Sequence, residues 1–303
     1  MRIDNDLKPC VIQCDIQGHN GLAFSRDKQW MFTSDTPNGV IYRTPLDEQG
    51  EPGVREVFRR FQVGEGIPDG LMVVERPQSG GDYRMLFYNS DGSAGEMCGN
   101  GARCICRYGY EIGLAGELQR VETTAGLVTG RRITRRQYKI ELNRPTTLRL
   151  DYPVEVDGKT YPCSYVELGY PGLPHAVVPI PGLRGRPEAE LFALGRKLRA
   201  HPAFPKGANV NFFDVEGPGR IWERTFERGV EGFTYACGTG TGSVAAVLTL
   251  QGAVSGRAVA VQMTGGELVV DVERRGSTVE HLFLTGPTNM VAKGELTDEE
   301  LPL

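Results

Sequence analysis

The sequence predicts a mixed α/β protein with many short strands, few helices and two similar halves. Three observations carry that expectation. Glycine supplies 40 of the 303 residues with no collagen-like period, and so many tight-turn residues favour strands and loops over a helix bundle. Short β-type runs recur, each closed off by Gly, Pro, Asn or Asp. A Cys-Gly-x-Gly device occurs twice, at Cys98-Gly99-Asn100-Gly101 and at Cys237-Gly238-Thr239-Gly240, each time opening a helical pattern.

In chain order, the strand-type runs are Met72 to Val74, Tyr83 to Tyr88, Tyr138 to Leu142, Ser164 to Leu168 and Asn209 to Val215. Ala258 to Met263, Leu268 to Val272 and His281 to Leu284 follow. The apolar spacing predicts helices over Val54 to Phe61, Ala102 to Ile112, Pro187 to Arg199 and Thr241 to Leu250. No Pro/Ser linker divides the chain, and Tyr152 to Cys163, with its turn at Asp157-Gly158, is the stretch where a boundary is expected. The two Cys-Gly-x-Gly turns point to a duplication. Each is followed by a glycine-centred strand entry, Gly126 or Gly266, standing 28 or 29 residues after its cysteine.

Composition narrows the function classes. The chain is 40% hydrophobic and 24% charged, as in a globular protein, with a net charge of −4 that disfavours nucleic acid or an anionic membrane as the main partner. No apolar run approaches the ~20 residues that span a bilayer. The start, MRIDNDLKPC, lacks a signal-peptide pattern, and seven cysteines are an odd number. Reduced thiols in the cytoplasm are therefore the expectation. A homodimer is compatible with the sequence.

The chemistry is expected at the two cysteines. A helix N-terminus lowers a thiol pKa through its orphan N–H groups and positive dipole end. The glycines that follow let the backbone approach a ligand and form an anion seat. If the halves face each other, a small carboxylate-bearing molecule can lie between two helix N-termini with a sulfur on each side. One thiolate then removes a proton from one face of a carbon while the other thiol returns one to the opposite face. Cys237-Gly-Thr-Gly-Thr-Gly-Ser also looks like a phosphate loop, but it lacks the Walker lysine. Cys104 and Cys106 read as core or helix-face thiols. Cys10, Cys14 and Cys163 carry no signal.

Tyr88-Asn89-Ser90-Asp91-Gly92-Ser93, followed by Glu96-Met97-Cys98-Gly99-Asn100-Gly101-Ala102-Arg103-Cys104, resembles the first active-site signature of diaminopimelate epimerases. Glu227-Arg228-Gly229 with Ala236-Cys237-Gly238-Thr239-Gly240 resembles the second. Weaker matches, such as Pro174-His175-Ala176-Val177 and Ala208-Asn209-Val210-Asn211-Phe212, follow in the family's order. The resemblance implies two similar, pseudo-twofold-related domains, each a curved, barrel-like mixed sheet around a central helix. It implies a first domain of residues 1–143 plus 283–303 carrying Cys98, and a second of residues 144–282 carrying Cys237. It also implies a cofactor-independent amino-acid epimerase, an isomerase with Cys98 and Cys237 as the acid–base pair. By the same resemblance Gly99, Asn100, Gly238 and Thr239 hold the reacting amino-acid end. Asn20, Asn89 and Asn209 bind substrate, Arg228 grips the distal carboxylate, Glu227 binds an ammonium group or supports the pair, and His175 orients a thiol.

The sequence departs from the family pattern at the distal end. Leu173 stands where the family has asparagine. Phe233 replaces a glutamate in Glu231-Gly232-Phe233-Thr234, which carries one extra residue, and the early glycine–asparagine run is altered around Asn20. Leu173 and Phe233 are expected to strip polar partners from the distal pocket if they line it. The expected substrate is diaminopimelate, with a racemase or isomerase for another amino acid as the alternative. A redox-sensitive carboxylate-binding protein, with the two cysteines as a disulfide switch, is the reading from another class.

Overall fold

The computed structural model describes residues 2–3, 9–10, 19–24, 29–35, 40–48, 53–60, 70–89, 94–95 and 98–290. The chain forms two compact units. The first gathers Met1–Val73, Leu86–Gly95 and Asn289–Leu303, and the second Val74–Met85 and Glu96–Thr288.

In the first unit, strands β1 (Arg2–Ile3) and β2 (Pro9–Cys10) pair with each other. Strands β3 (His19–Phe24), β4 (Trp30–Asp35), β5 (Val40–Pro45) and β6 (Glu56–Arg60) form a four-stranded antiparallel meander. The helix expected over Val54 to Phe61 is therefore corrected: Glu56 to Arg60 are strand, and Phe61 lies outside the described residues. Tyr42 pairs with Val57 and Arg43 with Glu56 across β5 and β6, where the Arg43 guanidinium is ion-paired to the Glu56 carboxylate. Arg55 lies 4.2 Å from the centre of the Tyr42 ring. These cross-strand pairs, invisible to a local pattern, override its helical spacing. Strands β7 (Gly70–Glu75), β8 (Tyr83–Asn89) and β9 (Ala94–Gly95) follow.

The second unit is built on one large mixed sheet. Helix α1 (Gly99–Glu111) leads into β10 (Leu118–Thr123), β11 (Gly126–Arg132) and β12 (Gln137–Leu142). Then come β13 (Pro145–Val156), β14 (Lys159–Leu168), β15 (Leu173–Pro179), helix α2 (Glu188–Arg199), β16 (Asn209–Gly217), β17 (Arg220–Glu227) and β18 (Gly232–Thr234). Helix α3 (Gly238–Leu250) and β19 (Val259–Met263), β20 (Gly266–Arg275) and β21 (Thr278–Pro287) close the unit. The strand order is β13-β14-β15-β16-β17-β19-β20-β21-β12-β11-β10-β8. The stretch Tyr152 to Cys163 runs up and down one hairpin, turned by Asp157 and Gly158 at φ 52° and 74°, the left-handed pair a two-residue turn needs.

The duplication read from the sequence is a structural repeat. In each half the strand before the helix pairs in parallel with the strand after it, β8 with β10 and β17 with β19. Each half continues as an antiparallel hairpin whose second strand starts at a left-handed glycine, Gly126 (φ 105°) or Gly266 (φ 131°). A third antiparallel strand follows, β12 or β21, and these two pair with each other, Ile140 opposite Leu284, so the halves share one seam.

Helix α3 is buried on nearly every side, from Gly238 to Thr249, which explains why it is apolar all round rather than amphipathic. Two of its hydroxyls are satisfied inside the helix: Ser243 donates to the Thr239 carbonyl and Thr249 to that of Ala245. Helix α1 packs on β11, β12 and β21 through Ala102, Ile105 and Cys106, while Cys104 is exposed. Burial pushes the Cys106 and Cys163 thiols up to about 12, as expected of inert core cysteines. Helix α2 places Glu188 and Glu190 in its first turn and Arg196, Lys197 and Arg199 in its last, matching the helix dipole. Leu191 and Leu198 anchor it on a core shared with Phe212 and Phe226, each worth roughly 1.5–3 kcal/mol of burial. Among the described residues, no helix is long and apolar enough to cross a membrane.

Candidate active site

Both Cys-Gly-x-Gly turns lie in the second unit, and the backbone treats them alike. Cys98 is the N-cap of α1 at φ −124°, ψ 116°, and Cys237 the N-cap of α3 at φ −123°, ψ 103°. An extended cap followed by helical glycines leaves the amides of Gly99 and Asn100, and of Gly238 and Thr239, without an intrahelical acceptor. The Cys98 sulfur accepts from the Gly101 N–H at 3.3 Å.

The two helix starts touch. A β-carbon built on Gly99 would stand 3.4 Å from the Gly238 Cα, and one on Gly238 would stand 3.4 Å from the Gly99 Cα and 2.8 Å from Leu284 Cδ2. Leu284, on the seam strand β21, is the floor under both turns. Asn100 ties them together: its Nδ2 donates to the Ala236 carbonyl at 3.3 Å, just before Cys237, and its Oδ1 accepts from Arg103 Nη2 at 2.9 Å. Arg103 Nη1 also donates to the Gly99 carbonyl. Two positive dipole ends, with a sulfur at each, therefore converge on one spot.

Cys237 is buried, its sulfur 3.6 Å from Thr239 Oγ1. Burial raises the thiol well above its ordinary value, and the Glu227 carboxylate adds to the rise, against the pull of the Thr239 hydroxyl and the Gly240 amide. The lowered thiol pKa expected from the helix N-terminus is thus corrected at Cys237, because loss of water and a nearby negative charge outweigh the helix dipole. The resting group is a protonated thiol.

Strand β15 carries His175, fully buried, with Nδ1 3.2 Å from Asn211 Nδ2. Its Nε2 is buried without a partner among the described residues. Burial, reinforced by the positive charge of Arg228, lowers its pKa to about 3, so the imidazole is neutral. His175 sits in register with Asn209 on β16, whose Oδ1 accepts from the Arg228 backbone N–H at 2.8 Å. Arg228 Nη1 donates to the Lys206 carbonyl at 2.8 Å. Glu227, at the end of β17, is close enough to Cys237 to act on its charge.

The two distal-end departures lie on different strands. Phe233 lies on β18 opposite Phe226, its ring edge-on to Phe226 and Phe192 and 4.1 Å from the Arg224 guanidinium. It packs, partly buried, against the aromatic core. In the loop before it Glu231 turns at φ 57° and accepts from Arg199. Leu173 starts β15 opposite Leu168 and is partly buried. Asn20, on β3, and Asn89, at the end of β8, belong to the first unit, and their side chains lie outside the described residues. So do Glu96 and Met97, and Cys14.

Comparison with known proteins places this arrangement. A diaminopimelate epimerase of Aquifex aeolicus is 38% identical over 84% of this chain and 90% of its own length. The chain belongs to the diaminopimelate epimerase family. A diaminopimelate epimerase of Archaeoglobus fulgidus is 37% identical over 88% of the chain and 92% of its own length. The sequence model of the diaminopimelate epimerase family matches residues 168–291, which include His175, Asn209, Glu227, Arg228 and Cys237. Residues 1–77 match a different model, that of the SMP-30/gluconolactonase/LRE-like region. Asn20 lies in that segment. Among solved structures, a probable proline racemase from Agrobacterium radiobacter K84 shares the fold at a TM-score of 0.57 and 19% identity, over 76% of each chain. A phenazine biosynthesis protein of the PhzF family from Enterococcus faecalis does so at 0.52 and 14%, over 76% of this chain and 83% of its own. The strand–helix–hairpin repeat with its two cysteine caps is thus the diaminopimelate epimerase-like fold.

Two participants in this site were missed by the sequence reasoning. Arg103 is buried and holds Asn100 in place. Glu223 is buried beneath the first turn of α3. A signal for Glu223 was available: it occupies the inward phase of Ile221, Glu223 and Thr225, where alternation calls for an apolar residue.

Proposed function

We propose that this protein is a cofactor-independent amino-acid epimerase that inverts an α-carbon, converting LL- to meso-diaminopimelate in lysine biosynthesis. The single observation that carries the proposal is the pair of touching helix N-termini, each capped by a cysteine. One sulfur as thiolate takes the α-proton, and the other as thiol delivers its proton to the opposite face. One C–H bond breaks, one forms, and the enzyme ends with its thiol and thiolate exchanged. The protonated resting state of Cys237 suits the donor role, with Cys98 as base, and the reverse reaction exchanges the roles.

The amides of Gly99, Asn100, Gly238 and Thr239 receive the α-carboxylate and stabilise the charge that develops beside it as the α-proton leaves. Neutral His175, its Nε2 without a partner among the described residues, orients a thiol. Asn209 and Asn89 bind substrate, as does Asn20. Arg228, its backbone held by Asn209, grips the distal carboxylate as a fork, and Glu227 meets an ammonium group. Thiol–thiolate exchange needs reduced cysteines, which supports a cytoplasmic location.

The test is exchange in deuterated water. Reduced protein is incubated with LL- and meso-diaminopimelate and with common amino acids, and the α-proton signal is followed by NMR. Loss of that signal with inversion of diaminopimelate is expected. Exchange with another amino acid alone would move the substrate and keep the two-thiol chemistry, and no exchange with any of them would overturn the proposal.

A further inference from the structure

Beneath the first turn of α3 lies a carboxyl group that the two-thiol chemistry does not use. Glu223 points inward from β17 and is completely buried. Its oxygens meet hydroxyls: Oε2 is 2.8 Å from Thr241 Oγ1, and Oε1 is 3.3 Å from Thr225 Oγ1. Among the described residues it has no ion pair.

Counting protons favours the neutral form. The single Thr241 hydroxyl proton faces two oxygens, Glu223 Oε2 and the Cys237 carbonyl at 2.9 Å. The Thr225 hydroxyl likewise faces Glu223 Oε1 and Asn211 Oδ1, the latter at 3.0 Å. A carboxylate only accepts, so it would claim both protons and leave the Cys237 and Asn211 contacts as bare oxygen pairs. A carboxylic acid adds a third proton, so that of these four contacts the longest, Glu223 Oε1 to Thr225 Oγ1 at 3.3 Å, is left without one. Its O–H donates to Thr241, Thr241 donates to the Cys237 carbonyl, and Thr225 donates to Asn211. The Asn211 amide then reaches Nδ1 of His175 and the Ala176 carbonyl. A β-carbon on Gly240 would lie 2.1 Å from Asn211 Oδ1 and 3.2 Å from Cys237 Sγ, so this chain runs directly under the sulfur.

We propose that Glu223 is a positioning residue for Cys237: a neutral carboxylic acid that pins the first turn of α3 through Thr241. The assignment rests on the reading of Cys237 as an acid–base group. Burial raises the Glu223 pKa to about 8, against two hydroxyl contacts that pull it down. The groups facing it are Thr225 on its own strand, Thr241 and Cys237 on α3, Asn211 on β16 with neutral His175 behind it on β15, and Met263 on β19, whose sulfur approaches Thr241 at 3.3 Å. Glu227 acts on Cys237 from the end of β17. None of these supplies a positive charge to hold a carboxylate. Ionised, Glu223 would add to the negative field that already hinders the Cys237 thiolate.

Two readouts on the full-length protein test this, and neither needs turnover. Infrared difference spectra at about pH 6.5 compare the parent with Glu223→Gln. A carboxylic acid C=O band present in the parent and missing from the variant is expected, and identical spectra would overturn the assignment. The second readout is the pH profile of Cys237 alkylation by iodoacetamide, followed by mass spectrometry of the labelled peptide. Glu223→Gln still donates to Thr241 but cannot ionise, so it should label Cys237 at least about threefold faster than the parent at about pH 9. Superimposable profiles would overturn the positioning role. A protein that labels and titrates as expected but epimerises nothing would refute the proposed activity while supporting this assignment.

Discussion

The close approach of the two helix starts makes a graded prediction for alanine at three glycines. At Gly240 the new methyl would lie 2.1 Å from Asn211 Oδ1 and 3.1 Å from its Cγ, and Asn211 is itself fully buried. It must move by more than an ångström, which breaks its hydrogen bond from Thr225. Overpacking costs about 1–3 kcal/mol, and a stranded buried partner costs another ~1–3 kcal/mol. Helix propensity returns up to ~1 kcal/mol, because Ala is the better helix former. The net for Gly240→Ala is a loss of about 3 kcal/mol, seen as a melting temperature lower by roughly 5–10 °C. At Gly238 the clash, 2.8 Å, is with a leucine methyl that can rotate, and at Gly99 the nearest atoms stand at 3.4 Å, ordinary contact. The order of destabilisation is therefore Gly240→Ala, then Gly238→Ala, then Gly99→Ala. Gly116→Ala, with nothing within 4 Å, is the neutral control. Calorimetry on the four variants reads the series. A Gly240→Ala protein that melts with the parent would refute the packing of α3 against Asn211 and with it the geometry of the Cys237 turn.

Three further outcomes are expected. Cys98→Ala and Cys237→Ala should each lower turnover by more than about a hundredfold with an unchanged circular dichroism spectrum, and turnover retained in either would sink the two-thiol mechanism. Mild oxidation should abolish activity and dithiothreitol restore it, since an oxidised sulfur can neither take nor give the α-proton; indifference to both reagents would count against the cysteines. For Glu223 the folded pKa lies above the unfolded one, so the folded state keeps a proton that the unfolded chain gives up as pH rises past 4.5. Its stabilising effect is whole below that pH and is lost progressively up to about 8. Chemical denaturation across this window should show the parent losing a few kcal/mol more than Glu223→Gln, and parallel curves would contradict a neutral buried acid.

Much of the site was legible in the sequence because its decisive parts are local. A cysteine N-cap with glycines behind it is a property of four consecutive residues, and it shapes the backbone alike at Cys98 and Cys237. The strand entries at Gly126 and Gly266 are equally local, since each needs a left-handed φ that glycine adopts without strain. Two such devices at matching distances were enough to expect a repeat and two reacting sulfurs. What only the tertiary structure decided depends on partners far along the chain. Glu56 to Arg60 became a strand because β5 offered it cross-strand partners. Phe233 joined an aromatic core because Phe192, Phe212 and Phe226 had gathered there. The Cys237 thiol rose rather than fell because burial and Glu227 overcame the helix dipole. Glu223, one charged letter in a strand pattern, became a buried carboxyl group because the fold closed β17, β16 and α3 around it. Local sequence sets backbone conformation and the identity of the reacting atoms; desolvation and charge, which set their protonation, exist only once distant segments have met.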